Sequence, residues 1–452
     1  MVATGNVDAL TSCPKNVRPP IASFAPTMWA DTFTSLSLED KVQQKYVEAI
    51  EALMQEARSM LMAKGKTTTD RLILIDTLER LGVAYHFEQE IEDQLQHIFK
   101  SHSKREDDCD LFITALQFRL LRQHRYFVSN KSPLQDQVKR ALQHSLHRGV
   151  PRIETRHFIS FYERDDSKNQ LLLKLAKLDF NFLQDLYKKE LHELSRDRLV
   201  EAYFWGMALH FKPQDSYARV AIAKSVQMVV TLNDTCDSYA TLEEADLFIE
   251  NLDRLHESCL QVLLSIYDDY ETEASKQGKS YAVCYAKETM PTFEEYVANM
   301  MLTSCVYVIL SSTIPAMKSA SKETIDWLID EPKIVAAAAK IGRYLNDLGS
   351  YQRENKGGDI PIAVRCYMEQ YGMSKEEALD KFVELAEDAW KDFNTEWITE
   401  TSILARDIVA EQLLNYARAA EVTYENCQDG LTNPEKYLAP QLVALFVDPI
   451  LI

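Results

Sequence analysis

Residues 37–62 read SLEDKVQQKYVEAIEALMQEARSMLM. Val42, Tyr46, Ile50, Leu53 and Ala57 recur at steps of three and four, the period of a helix with one apolar face. The same period returns over residues 69–81, 87–97, 134–146, 170–191, 202–231, 296–311, 334–345, 375–393 and 403–422. Alternation of the strand type is nearly absent, so the chain reads as all-α. Glycine agrees with that reading. The 12 Gly and 14 Pro among 452 residues fall well under ordinary usage of about 7% and 5%. Sheets and phosphate-cradling loops need glycine for tight turns and close backbone approach. Neither G-x-G-x-x-G nor G-x-x-x-x-G-K-[ST] occurs, which removes the main support for a dinucleotide fold or a P-loop.

At 452 residues the chain is long enough for two or three domains, and 46% hydrophobic with 26% charged residues is a globular composition. Its net charge of −19 has the wrong sign for general binding to nucleic acid or anionic membranes. A phosphate site must then be a local basic cluster. No run of about 18 apolar residues free of charge appears, so no membrane span is expected. The eight cysteines form no C-x-x-C pair, as in a reducing compartment. Met1 to Val17 has neither an apolar signal core nor an Arg- and Ser-rich leader, and a cytosolic monomer is expected. The polar run Arg164-Asp165-Asp166-Ser167-Lys168-Asn169 separates two periodic segments. Composition leaves open whether it joins two domains or two helices of one.

Two polar constellations interrupt apolar helices. Leu232-Asn233-Asp234-Thr235-Cys236-Asp237 follows the apolar run 226–232, and Asn233 and Asp237 stand four apart, on one helix face. An oxygen pair there suits a hard cation such as Mg²⁺, completed by water and substrate phosphates. Alone, such a string more often marks an N-cap followed by solvated carboxylates. In Asn346-Asp347-Leu348-Gly349-Ser350-Tyr351-Gln352-Arg353-Glu354, the residues Asn346, Ser350 and Glu354 lie at i, i+4 and i+8. An amide, a hydroxyl and a carboxylate on one stripe form a second hard-metal candidate, with Arg343 three residues earlier to meet an anion. A polar solvent face is the ordinary explanation of such a string. Ser195-Arg196-Asp197-Arg198 precedes Tyr203-Phe204-Trp205, and two arginines around one residue can clamp an oxyanion. Surface charge is the usual account of R-x-R.

The order of these strings resembles the class I terpene synthases of plants, cytosolic sesquiterpene synthases most of all. Arg18-Pro19 with Pro26-Thr27-Met28-Trp29, Leu81–Phe87, Phe118–His124, Lys177–Asn181, Ala389–Asp392 and Glu421–Tyr424 with Asp429-Gly430 extend the likeness from end to end. The resemblance implies two helical domains, an N-terminal helical domain over 1–166 and a catalytic α-barrel over 167–452. It implies metal binding at Asn233, Asp234, Asp237, Asn346, Ser350 and Glu354, with three Mg²⁺ ions or Mn²⁺ in their place. It implies diphosphate binding by Arg196, Arg198 and Arg343. Trp205 then stabilises carbocations, and Tyr424 and Asp429 serve proton handling and lid closure. Thr303, Ser304 and Cys305 match a helix break whose carbonyls face the cation. The expected reaction is ionisation of a prenyl diphosphate, farnesyl diphosphate first and geranyl diphosphate second, with release of a sesquiterpene and diphosphate.

The chain also departs from that pattern. Asn233 replaces the first aspartate of D-D-x-x-D, keeping an oxygen but losing the charge. Cys236 and Leu431 stand where aromatics are common, which widens the pocket. Stretches of the family pattern are lacking between Asn130 and Ser132, before Arg196, near 248–255 and at Met290-Pro291. A catalytically impaired helical binding protein is therefore the rival reading.

Overall fold

The computed structural model describes residues 28–29, 32–33, 40–102, 111–126, 146–194, 199–234, 292–302, 304–313, 327–328, 332–354, 363–399 and 410–452. Among them there is no strand. The helices are α1 (Asp40–Leu61), α2 (Thr68–Arg80), α3 (Glu88–His102), α4 (Leu111–Gln123), α5 (Pro151–Tyr162), α6 (Gln170–Leu194), α7 (Leu199–Leu209), α8 (Ser216–Asp234), α9 (Phe293–Leu302), α10 (Val306–Thr313), α11 (Lys333–Glu354), α12 (Ala363–Tyr371), α13 (Lys375–Thr399), α14 (Ala410–Thr423) and α15 (Leu438–Phe446). No helix among the described residues is long and apolar enough to cross a membrane. The periodic segment 134–145 lies outside the described residues.

Contacts divide the chain into two compact units. One comprises Met1–Ala25, Met228–Thr289 and Arg353–Ile360, of which only residues 228–234 and 353–354 are described. The other comprises Pro26–Gln227, Met290–Gln352 and Pro361–Ile452. Within that larger unit α1 lies along α6, α2 packs on α4 and α5, and α15 packs on α5, α6 and α7. The turn at Arg164–Asn169 is closed by Ser167, whose amide donates to Asp165 Oδ1 at 2.8 Å, and by Asn169, whose Oδ1 caps the start of α6. Three helix starts are fixed by reciprocal capping boxes: Thr67 with Asp70 before α2, Thr292 with Glu295 before α9, and Ser374 with Glu377 before α13.

One expected helix is two. The periodic segment 202–231 is cut between Leu209 and Ser216. Lys212 precedes Pro213 and is extended (ψ 148°), because the proline ring disfavours the helical region for the residue before it. The carbonyls freed by the break are met from the next helix. Arg219 Nη1 donates to the carbonyls of His210 at 2.8 Å and Lys212 at 2.5 Å. The same guanidinium forks onto Glu190 of α6, with Nε to Oε2 at 2.9 Å and Nη2 to Oε1 at 2.7 Å. Tyr203 of α7 donates to that carboxylate at 2.6 Å, and all three side chains are buried. This pair ties α6, α7 and α8 together.

The string Lys177–Asn181 finds its purpose on α6. Lys177 Nζ donates to the carbonyl of Leu451 at 2.8 Å, and Asn181 exchanges two hydrogen bonds with Ile450, at 2.7 and 2.8 Å. Asp179, on another face, accepts from Tyr85 at 2.5 Å and Arg152 at 3.4 Å and bonds His86 at 3.0 Å. The strings at 81–87 and 177–181 are therefore joined to each other. Trp29 is also anchored: its indole N–H donates to Glu201 Oε1 of α7 at 2.7 Å.

Removing Glu190 leaves a buried guanidinium uncompensated and loosens the cap on α7. Glu190→Ala is expected to destabilise the protein by ~3–5 kcal/mol in denaturant unfolding. A loss under about 1 kcal/mol, the worth of an exposed pair, would remove this pair from its structural role.

His124 of the turn after α4 sits between Glu79 of α2, at 2.7 Å, and Glu92 of α3, at 3.6 Å. Burial opposes its charge, but hydrogen bonds and attraction from Glu79 and Glu92 outweigh it and hold its pKa up at about 9. A folded-state value above the unfolded one adds stability that is complete below about pH 6.5 and lost as pH rises through about 9. The melting-temperature gap between wild type and His124→Gln is expected to be widest near pH 6 and to shrink by pH 10. A gap that is flat across that range contradicts the ion-pair assignment.

Candidate active site

Helix α11 carries the best-described part of the site. Gly349 lets the Tyr424–Gln428 segment lie directly on it, since a Cβ there would fall 3.0 Å from the Tyr424 ring and 3.2 Å from the Gln428 carbonyl. That approach brings the Tyr424 hydroxyl to Asn346, whose Nδ2 donates to it at 3.0 Å. The amide is thereby oriented, and its Oδ1 accepts from Arg343 Nη1 at 3.1 Å. Arg343 Nη2 bonds Asp347 at 3.2 Å and Tyr296 at 3.5 Å. Asp347 is buried, and the sequence reading gave it no role. Its carboxylate holds Arg343 from one turn further along the same helix.

Ser350 follows Asn346 by one turn and is fully buried, yet its Oγ has no hydrogen-bond partner among the described residues. A buried hydroxyl without a partner is costly unless something is bound there. Amide, hydroxyl and carboxylate oxygens are the donors a small hard cation takes, and the α11 set fits Mg²⁺ on that count. Glu354 is the last residue of α11, and its side chain lies outside the described residues. Among the described residues no three His, Cys, Asp or Glu side chains are grouped to hold a metal.

Burial and the charge of Asp429 push the Tyr424 phenol well above its ordinary value, so it stays neutral. Asp429 itself closes the following turn. Its Oδ1 accepts from the amides of Leu431 at 3.0 Å and Thr432 at 3.1 Å, and its Oδ2 accepts from the Thr432 hydroxyl at 2.6 Å.

Trp205 is buried in α7, a helix in which every residue from Leu199 to Leu209 is buried. Its ring lies 5.5 Å from that of Tyr416, and its Nε1 has no hydrogen-bond partner among the described residues. Of the expected interruption at Thr303, Ser304 and Cys305, the described Ser304 and Cys305 fall between α9 and α10. Cys305 has φ 61°, in the left-handed region that a side chain strains to adopt. Burial pushes its thiol up to about 11, with the Arg343 charge acting in the opposite direction.

The described residues thus bring together Arg343, Asn346, Ser350 and Tyr424, with Asp429 beside them and Trp205 linked to Ser304 through Tyr416. Asn233 and Asp234 close α8, with their side chains outside the described residues. Arg196, Arg198, Asp237 and Thr303 lie outside them altogether.

Comparison with known proteins gives this geometry a context. The pattern described as "Terpene synthase, N-terminal domain" matches residues 28–163, and "Terpene synthase family, metal binding domain" matches 184–290 and 282–392. Gamma-cadinene synthase of Ocimum basilicum is 42% identical over 539 aligned positions, covering 97% of this chain and 99% of that protein. Those positions outnumber the 452 residues here, so the alignment carries gaps on this chain's side. Tau-cadinol synthase of Lavandula angustifolia is 38% identical, covering 98% and 99%. Limonene synthase with 2-fluorolinalyl diphosphate shares the fold, with TM-score 0.80 and 22% identity over 96% of this chain and 100% of that one. Isoprene synthase from grey poplar leaves, in complex with three Mg²⁺ ions and dimethylallyl-S-thiolodiphosphate, aligns with TM-score 0.73 and 26% identity over 91% and 98%. With both patterns matched and relatives similar along nearly their whole length, the chain belongs to the terpene synthase family.

Proposed function

We propose that the protein is a Mg²⁺-dependent sesquiterpene synthase that ionises farnesyl diphosphate, cyclises the allylic cation and releases diphosphate. The observation that carries this reading is the α11 stripe: a buried Ser350 hydroxyl without a partner among the described residues, one turn from an oriented Asn346 amide and on the same helix as Arg343. The relatives named for cadinene, cadinol and curcumene, at 42%, 38% and 37% identity, support a C15 substrate. In this reading residues 1–166 form an N-terminal helical domain and 167–452 the catalytic one.

Asn346, Ser350 and Glu354 would hold metal from α11, and Asn233, Asp234 and Asp237 would be the second set of ligands. Bound Mg²⁺, or Mn²⁺ in its place, supplies positive charge that offsets the charge growing on departing diphosphate. Arg343 turns from Asn346 and Asp347 to the diphosphate oxygens, and Arg196 and Arg198 take others by forked hydrogen bonds. Arg343, which can only donate, sets the Asn346 amide with its oxygen toward the guanidinium and its NH₂ on the Tyr424 hydroxyl, so the oxygen would be the atom offered to a cation. Trp205 offers a π-face to positive carbon, and the buried α7 wall keeps water from quenching it.

One residue favours a weaker catalyst. Asn233 presents a dipole where a carboxylate presents a full charge, and contacts to charged groups are roughly twice as strong as neutral ones.

Diphosphate release and gas chromatography of volatile products, with farnesyl and geranyl diphosphate compared at saturating Mg²⁺, test the reading directly. A cyclic C15 product is expected, and no diphosphate release from either substrate overturns it. Glu354→Ala is expected to lower turnover by about 100-fold or more, the scale of losing one preorganised charge contact, with helicity and melting nearly unchanged. Wild-type turnover in that variant would take the α11 stripe out of metal binding. Asn233→Asp is expected to lower the Mg²⁺ concentration for half-maximal activity by about threefold or more. Superimposable Mg²⁺ titrations would mean that the other ligands already saturate the metals.

A further inference from the structure

Tyr416 lies in α14, outside the strings that mark the metal and diphosphate residues, yet it touches three walls of the site. Its hydroxyl donates to the Ser304 carbonyl, in the break between α9 and α10, at 2.8 Å. Its ring packs against Trp205 of α7, with centroids 5.5 Å apart and planes tilted by 58°. Its edge lies on α11 at Gly342, where a Cβ would fall 2.5 Å from the phenol oxygen and 2.9 Å from Cε1. Gly342 is the residue before Arg343, and the Arg343 charge is felt at both Tyr416 and Cys305. The phenol is buried, and desolvation drives its pKa far up, so it is a neutral donor in a region closed to water.

A carbonyl oxygen in such surroundings presents a strong negative potential, because little dielectric screening reaches it. When it accepts a hydrogen bond, the donor's positive end cancels part of that potential and fixes the direction of what remains. The left-handed Cys305 shows that the break is held in a sparsely populated conformation, which persists only where neighbours determine it. Tyr416 is one such neighbour. We propose that Tyr416 is a positioning residue that sets the product ratio, by holding the Ser304 carbonyl and damping its field toward the hydrocarbon cation. The proposal rests on the synthase reading above and adds a residue that decides specificity. Intermediates with positive charge beside the break gain when the carbonyl is released, and those with charge elsewhere do not. Tyr416 itself gives up no proton in this role.

Tyr416→Phe removes one oxygen and keeps the ring against Trp205 and Gly342. Gly342→Ala keeps the oxygen but pushes the ring away from Ser304. Both are compared with wild type for diphosphate release, for the ratio of volatile products from farnesyl diphosphate, and for melting temperature. The ratio of the two most abundant products is expected to move by about fivefold in Tyr416→Phe, the weight of one neutral hydrogen bond, and in the same direction in Gly342→Ala. A merely structural tyrosine would lower melting and total turnover together and leave that ratio alone. Diphosphate release with the wild-type ratio in both variants overturns the proposal and leaves the synthase reading standing. A wild-type protein that releases no diphosphate overturns both.

Discussion

The forked pair between Glu190 and Arg219 is the interaction on which the described site most depends. It is buried, and a buried charge pair contributes little net stability against an apolar substitute. Its importance is geometric. The chain turns sharply at Lys212-Pro213, and the carbonyls exposed by that turn are covered by the same guanidinium that grips Glu190. Without it, α7 ends with uncovered carbonyls, and α8 starts without a fixed direction. Trp205 is carried by α7, a helix that this one side chain sets.

The site then combines firmly held groups with uncommitted ones. Tyr424, Asp347 and Asp429 are engaged by neighbours, and they orient Asn346, Arg343 and the turn after Tyr424. Ser350 Oγ is buried and has no hydrogen-bond partner among the described residues. A hydroxyl left open beside oriented groups is a position that a ligand could complete. Preorganised surroundings with a few open positions are the arrangement that electrostatic catalysis needs.

Much of this was legible in the sequence because helical periodicity is a local signal. The stripe at Asn346 and Ser350 follows from the spacing of the residues, whereas the interruption at Ser304 and Cys305 is implied only by the family resemblance, since periodicity runs unbroken over 296–311. Helix ends were legible in principle through T-x-x-D, T-x-x-E and S-x-x-E at residues 67, 292 and 374, though periodicity alone passed over them. The division of 202–231 was marked by Pro213, and a run of apolar residues on both sides concealed it. Asp347 and Tyr416 were illegible for a different reason. Each acts through a partner, Arg343 for the first and Ser304 for the second, and only the fold shows that Tyr416 spans 112 residues to reach its carbonyl. An aromatic on a helix otherwise reads as core.

The burial of α7 on every side carries a consequence for how the chain acquires its structure. All eleven of its residues are buried, and two of the helices that cover it, α14 and α15, come from distant parts of the sequence. Asn415 of α14 donates to the carbonyl of Leu209 across 206 residues. Contacts at such separation form late, because the entropy of closing a long loop must be met before any packing rewards it. During synthesis α7 therefore emerges long before α14 exists to cover it. In that interval the stretch from Leu199 to Leu209, apolar but for Glu201 and the Tyr203 hydroxyl, exposes apolar surface of the kind that chaperones bind and that aggregates nucleate on. A helix buried on every side in the finished protein is, until α14 arrives, a part of the chain in need of shielding itself.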